Sequence, residues 1–345
     1  MTIDKDRYLS NDRKKPVMIY IHIPFCDKKC DYCDFLSGPA SLLMKEKYVE
    51  KLIEEIKSHT GKMEEYQVTS IFIGGGTPSS LPVNDISRIM DALAKTFYPS
   101  QDTKYMEITI EVNPGTVNKE KLMEYKAAGI NRLSLGLQST DNKELKKLGR
   151  IHTYETFLEN YKLAREIGFS NINIDLMSGL PGQKVQDWII TLERITALKP
   201  EHISAYSLII EEGTPFFERY GLEYNNEETD RIIYSKTKEY FKAKGYNRYE
   251  ISNYAKENYE CRHNIGYWTG IEYLGLGLGS SSLLNGVRYK NESDLNKYID
   301  LTSDFKGLIT ESLPLSKKDK MEEFMFLGLR MTKGISKLRF LEEFG

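Results

Sequence analysis

Along roughly the first two thirds of the chain, short runs of crowded or alternating apolar residues give way to longer stretches where apolar residues return every three or four positions. The runs 18–23, 70–73, 107–112, 132–137, 172–177 and 202–208 are rich in Ile, Val, Leu or Tyr and predict strands. The stretches 45–58, 85–97, 119–128, 154–167 and 185–198 predict amphipathic helices; in the first of them Tyr48, Leu52, Ile53 and Ile56 keep helical spacing. Gly129 and Gly168 follow two of these helices, and Pro200 stands just before the last strand. Strand and helix in repeated alternation mean βαβ units and a parallel sheet. Six such units predict an α/β fold of partial (β/α)6 TIM-barrel type, open where an eight-stranded barrel would close. Residues that bind or react are then expected in the loops after the strand ends.

Beyond Pro215 the rhythm changes. A helix over about 227–244 leads to a short strand at 248–251 and a polar segment. A run over 274–279 follows, in which Gly275, Gly277 and Gly279 alternate with leucines. That alternation fits a strand with close backbone approach better than a phosphate loop. The stretch 321–344 is helical by pattern. The expected division is a flexible leader over 1–16, the barrel over 17–215 and a smaller α+β C-terminal segment over 216–345. No internal repeat is present.

Composition narrows the function classes. Of 345 residues, 40% are hydrophobic and 28% charged, the balance of a soluble protein with a sizeable core, and the net charge of −2 gives no global pull toward nucleic acid. The first fifteen residues are polar and lack the apolar stretch of a secretory signal, and no apolar run nears the roughly 20 residues that span a bilayer. A cytoplasmic protein is expected, without a transmembrane segment, although peripheral membrane association stays open.

Three of the four cysteines, Cys26, Cys30 and Cys33, lie within eight residues. Disulfide frameworks spread their cysteines along a chain, whereas metal sites cluster them. The Cys-x3-Cys-x2-Cys spacing begins at a predicted strand end and lets one loop wrap three corners of an iron–sulfur cubane, leaving the fourth iron open. A zinc site with a distant fourth ligand, or buried free thiols, are the plainer readings. Cys261 stands apart and reads as a small buried residue; the resemblance given below would also allow it as a second ligand beside His263.

Other predicted strand ends carry suitable chemistry. Gly74-Gly75-Gly76-Thr77-Pro78 follows the second strand, where glycines let backbone groups approach a ligand. Glu111 closes the third strand and could accept a pair of hydroxyls. Gln138 closes the fourth and offers an amide. Arg150 could clamp a carboxylate bidentately, and Asp175 closes the fifth strand. Singly, each reads equally as a solvated charge or a strand-end cap.

The segment Tyr20-Ile-His-Ile-Pro-Phe-Cys26, with Tyr32 before the third cysteine, resembles the radical SAM family over nearly the whole chain. Within that family it is similar to the group that contains oxygen-independent coproporphyrinogen III oxidase and a haem chaperone. The resemblance implies a [4Fe–4S] cluster on Cys26, Cys30 and Cys33. It implies S-adenosyl-L-methionine held near Tyr20, Tyr32, Gly75, Gly76, Thr77, Glu111, Gln138, Arg150, Asp175 and Ile209. It also implies the family chemistry, in which an electron from the reduced cluster splits the sulfonium into methionine and a 5′-deoxyadenosyl radical.

Three features separate the two relatives. Position 35 is Phe where the oxidase carries a fourth cysteine, the oxidase has a longer leader, and residues 263–268 read His-Asn-x-x-Tyr-Trp, a pattern of the chaperone. His263 is then implied as an axial haem ligand, with Tyr267 and Trp268 on a porphyrin face. The plainer reading is a structural histidine among core aromatics. The expectation is a haem chaperone that delivers haem to respiratory proteins. The alternative is a porphyrinogen decarboxylase. The partners expected are haem or a porphyrinogen and a haem-accepting respiratory protein, with no nucleic acid. The resembling proteins usually continue beyond this C-terminus with a small helical domain.

Overall fold

Alternate residues of the first six strands face two different surroundings, and this alternation sets the architecture. A computed structural model of the chain describes residues 14–99, 103–221 and 227–345. Most of the expected leader, residues 1–13, lies outside them.

The first part of the chain reads β1 (Lys15–Ile23), α1 (Leu42–Ser58), β2 (Tyr66–Gly75), α2 (Asp85–Phe97), β3 (Glu107–Val112), α3 (Lys119–Ala127), β4 (Arg132–Gln138), α4 (Asn142–Lys147), α5 (Tyr154–Glu166), β5 (Ile172–Ser178), α6 (Val185–Ala197) and β6 (His202–Ser207). The six strands pair in chain order, each parallel to the next. The helices start where the sequence supplies caps: Ser41, Asn118, Asp141 and Thr153 each accept a backbone N–H of the first turn.

Next come α7 (Pro215–Tyr220), α8 (Glu227–Ala243), β7 (Asn247–Arg248), β8 (Asn253–Ala255), α9 (Arg262–Trp268), β9 (Glu272–Leu276), β10 (Ser281–Leu284), β11 (Val287–Asn291), α10 (Leu295–Ile299), β12 (Ile309–Pro314), α11 (Lys317–Gly328) and α12 (Lys337–Phe344). Their strands extend the sheet at both edges, in the order β12-β11-β10-β9-β1-β2-β3-β4-β5-β6-β8-β7. The edges do not pair, so the parallel sheet is a partial barrel.

Two local expectations need correction. The strand expected at 248–251 is a two-residue strand that turns back into β8, because Arg248 already pairs with Tyr254. The helical tail is two helices, broken between Gly328 and Lys337, with Ser336 capping the second. Within the glycine run, Gly275 lies in β9, and a side chain there would strike the Ser281 carbonyl, the close approach that the pattern implied.

One face of the strands is apolar. Ile19, Ile71, Ile110, Leu135, Ile174 and Ile203 pack with Leu52, Ile89, Leu93, Phe157 and Leu192 of the helices in one core cluster. The opposite face is buried but polar. Asn173 Nδ2 donates to Ser134 Oγ at 2.7 Å, Ser204 donates to Asn173 Oδ1 at 3.1 Å, and the His202 ring lies 2.6 Å from Asn173 Oδ1 and 2.8 Å from the Tyr249 hydroxyl. Each member meets a partner, as burial of polar groups requires.

Candidate cluster and co-substrate site

The three clustered cysteines lie on the loop that leaves β1. Two backbone contacts fold this loop: Cys26 N–H donates to the Gly38 carbonyl at 3.0 Å, and Gly38 N–H donates to the Pro24 carbonyl at 3.0 Å. Cys33 N–H returns to the Cys30 carbonyl at 3.2 Å. Burial first, and the neighbouring Cys30 and Cys26 sulfurs after it, push the Cys33 thiol up from its ordinary pKa. All four cysteines are free of disulfides. Among the described residues no group of three His, Cys, Asp or Glu is arranged to hold a single metal ion. A cubane takes one thiolate at each of three separate corners.

Residues after β2 and β3 lie against this loop. Gly76 N–H donates to the Ile23 carbonyl at 2.8 Å and Thr77 N–H to the Phe25 carbonyl at 2.7 Å. A Cβ at Gly76 would lie 2.7 Å from the Phe25 carbonyl oxygen, and one at Gly75, whose φ is 111°, 2.6 Å from the His22 ring. Only glycine fits this cradle. The buried Thr77 hydroxyl donates to Cys26 Sγ at 3.4 Å and accepts from Asn113 Nδ2 at 2.7 Å. Tyr20 and His22 complete the loop's footing: the Tyr20 hydroxyl lies 3.0 Å from His22 Nδ1, and His22 Nε2 lies 2.9 Å from the Leu36 carbonyl.

Arg150 reaches the same place from the loop after α4. It donates to Cys30 Sγ at 3.4 Å, to Asn113 Oδ1 at 3.1 Å and to the Gly136 carbonyl. Its Nε is buried without a partner. Burial works against the Arg150 charge, but Tyr32 and Cys30 beside it outweigh this and raise its pKa. Together with Cys30, Thr77, Asn113 and His152 it lines a narrow cleft.

Two carboxylates turn into the barrel: Glu111, next to last in β3, and Asp175, which stands in the middle of β5, three residues short of the strand end where the sequence put it. Glu111 Oε2 accepts the Gly75 N–H at 3.1 Å. Burial, then the charge of Asp175, raises its pKa to about 8. Asp175 accepts from Ser134 at 3.0 Å and from Asn173 at 2.8 Å, and burial raises its pKa too. A cationic or hydroxyl-rich ligand beside them would relieve both. Gln138 ends β4 with a φ of 74°, after a register shift between Gly136 and Gln138. The Tyr32 ring packs edge-on to Phe216 at 6.4 Å. Ile209, two residues past β6, is 67% exposed.

The donor set fits a three-thiolate cubane with a dipolar co-substrate beside it. It comprises three thiols, two of which receive hydrogen bonds, together with a side-chain-free cradle, an orphaned Arg150 Nε and two buried carboxylates of raised pKa. The structure thus gathers Tyr20, Cys26, Cys30, Tyr32, Cys33, Gly75, Gly76, Thr77, Glu111 and Arg150 at one end of the barrel. Asn113 was missed in the sequence, although it follows β3 two residues after Glu111, where the strand-end rule points.

His263 lies elsewhere. It sits in α9, 1% exposed, with Nδ1 2.9 Å from the Ser70 hydroxyl and Nε2 3.1 Å from the Tyr267 hydroxyl. Ser70 precedes Gly75 by five residues on β2, or about 17 Å along a strand, so His263 marks the opposite end of the barrel. Glu107 of β3 accepts the N–H groups of Arg262 and His263, both at 3.1 Å, and the Cys261 thiol at 3.4 Å.

Residues 20–195 match the Radical SAM superfamily, and residues 315–345 match the HemN C-terminal domain. The heme chaperone HemW of Bacillus subtilis (strain 168) is 37% identical over 329 residues, which cover 94% of this chain and 86% of that protein. The heme chaperone HemW of Lactococcus lactis subsp. lactis is 38% identical over 339 residues, covering 96% and 86%. Among solved structures, coproporphyrinogen III oxidase (HemN) from Escherichia coli superposes with a TM-score of 0.79 at 25% identity, covering 92% of this chain and 76% of that one.

Proposed function

The chain belongs to the radical SAM superfamily and, within it, to the family of the heme chaperone HemW, and from that premise we propose that it is a haem chaperone on a radical SAM scaffold. Membership of the superfamily implies a [4Fe–4S] cluster and S-adenosylmethionine. The observation that carries the chaperone reading is the identity to HemW proteins over nearly the whole chain. Phe35, where the oxidase carries a cysteine, supports it.

In this reading Cys26, Cys30 and Cys33 hold the cluster. The chemistry such a cluster supplies when bound is one-electron transfer to S-adenosylmethionine. The chain's own residues prepare the site for it. The Thr77 hydroxyl and the Arg150 guanidinium donate to two of the sulfurs, which fixes the direction of each. Gly75 and Gly76 would open backbone groups to the methionine end, Glu111 would accept the ribose hydroxyls with Asp175 beside it, and Arg150 would take the carboxylate. Gln138, Tyr20, Tyr32 and Ile209 complete the contacts. Residues 17–215 form the radical SAM unit, and 216–345 the α+β segment that carries the haem ligand, for which we propose His263. Haem-accepting respiratory proteins are the proposed recipients and the cytoplasm the proposed compartment. No helix among the described residues is long and apolar enough to cross a membrane.

Binding experiments test the co-substrate residues. Glu111→Ala and Arg150→Ala should each keep the cluster while weakening S-adenosylmethionine binding about ten- to a hundredfold. Each loses charge-assisted hydrogen bonds worth roughly 1.5–3 kcal/mol. Equilibrium dialysis on anaerobically reconstituted protein measures this, and wild-type affinity in both variants rejects the assignment. Incubation with coproporphyrinogen III under reducing conditions separates chaperone from oxidase. Haem binding without decarboxylated product supports the first, and product formation supports the second.

A further inference from the structure

Between Cys30 and Cys33 the chain carries Asp31, an acid with no task in ligating a cluster. Its backbone and its side chain are each committed to a different part of the barrel. Its N–H donates to the Leu148 carbonyl at 3.0 Å, and its carbonyl accepts the Phe216 N–H at 3.0 Å. Its carboxylate pairs with Arg219 of α7, whose guanidinium lies 5.1 Å from the Phe216 ring centroid. Residues 148–150 are shaped around this acid. Gly149 has a φ of 75°, and a Cβ there would stand 2.5 Å from Asp31 Oδ1. The next residue, Arg150, donates to Cys30 Sγ. Beside Asp31, the Tyr32 ring joins Leu148, Leu180, Leu208, Ile210 and Phe216 in a separate apolar cluster. One residue therefore ties the loop after β1 to the segment after α4 and to the helix that follows β6. It does so across the open end of a sheet whose edges never meet.

We propose that Asp31 and Arg219 form a clasp across the barrel mouth, which keeps the cysteine loop in register with Arg150. The proposal rests on the reading of Cys26, Cys30 and Cys33 as cluster ligands. Both members of the clasp are positioning residues, and they act through Cys30 and Arg150. The two backbone hydrogen bonds of Asp31 do not need its carboxylate, so the loop keeps its path when the side chain is neutralised. The pair is partly solvated, with side chains 25% and 43% exposed, and an ion pair of that kind adds little to global stability. Its effect is local and falls on the spacing between a cluster corner and the guanidinium proposed to hold the co-substrate.

The test uses the full chain, reconstituted without oxygen, as wild type, Asp31→Asn, Arg219→Gln, the double variant and Arg219→Lys. All five should take up about four irons and melt alike. Asp31→Asn and Arg219→Gln should each lose iron to a chelator several times faster and bind S-adenosylmethionine about fivefold more weakly. The double variant should be no worse than either single one, since both remove the same contact. Arg219→Lys should recover most of the affinity. Wild-type affinity in both single variants, or additive losses in the double variant, overturns the clasp. A wild-type chain that takes up no iron overturns the cluster reading beneath it, and the clasp with it.

Discussion

Cys30→Ala, reconstituted without oxygen, is expected to hold none of the about four irons per chain that the wild type should take. Cys26→Ala and Cys33→Ala should behave alike, because a cubane that loses one of three thiolates finds no further cysteine in this loop to replace it. Cys261→Ala is the control and should keep full iron. Its thiol is buried at the other end of the barrel and donates to Glu107. Burial pushes its pKa up to about 12, so at neutral pH it is a protonated thiol and a poor metal ligand. The cysteine-loop variants remove a thiol that receives a hydrogen bond in two of three cases, from Thr77 to Cys26 and from Arg150 to Cys30. Iron analysis and the visible absorption of the cluster read the result. A stable cluster in Cys30→Ala rejects the ligand assignment.

The barrel was legible because its strands carry Ile and Val runs at positions the core must bury. β3 and α2 match the expected 107–112 and 85–97 at both ends. β2 was foreseen only as 70–73, because Gln67 and Thr69 dilute its apolar pattern and the strand is held by pairing to β1 from Tyr66 onward. The unbroken sheet was not legible. β9 joins β1 in parallel register from Val17 to Ile21, across more than 250 residues of sequence, and no local pattern encodes a partner so distant. The short hairpin of β7 and β8 was hidden for a related reason. Tyr249, Glu250 and Ile251 look like a strand, but Tyr249 leaves the ladder to meet His202 in the barrel interior.

The site was legible where a residue follows a strand with its own motif, as with the cysteine loop and the Gly74–Thr77 turn. Its supports were not. Asn113 bridges Thr77 and Arg150, and Asp31 ties its loop to residues 148–150 and to α7, yet both are ordinary polar residues in sequence. Their meaning lies in what the fold brings opposite them. The interior polar network of Ser134, Asn173, His202 and Ser204 was invisible for the opposite reason. Each residue reads as the solvent side of a half-buried strand until a barrel turns that side inward.

Tyr267→Phe is expected to tighten haem binding while His263→Ala abolishes it, if His263 is the axial ligand as proposed. In the folded chain both imidazole nitrogens are engaged, one with Ser70 and one with Tyr267. Haem iron can reach Nε2 only after the Tyr267 hydroxyl has turned away. Binding is then opposed by the hydrogen bond that must be broken, a net term of about 0.5–1.5 kcal/mol. Phenylalanine removes that term, which corresponds to a gain of roughly two- to tenfold in affinity. Protonation does not compete at neutral pH, because burial and the Arg132 charge push the His263 pKa down to about 3, so the ring is in its neutral, ligating form. His263→Ala should erase the haem absorption bands and leave the iron of the cluster untouched at the far end of the barrel. It should also lower the melting temperature, since the Ser70 and Tyr267 hydroxyls lose their buried partner. His263→Asn separates the two effects, because its amide can still hydrogen-bond within the core but ligates haem iron poorly. Haem binding at the wild-type level in both His263 variants, with Tyr267→Phe neutral, would show that His263 serves only the core and that haem docks at another surface.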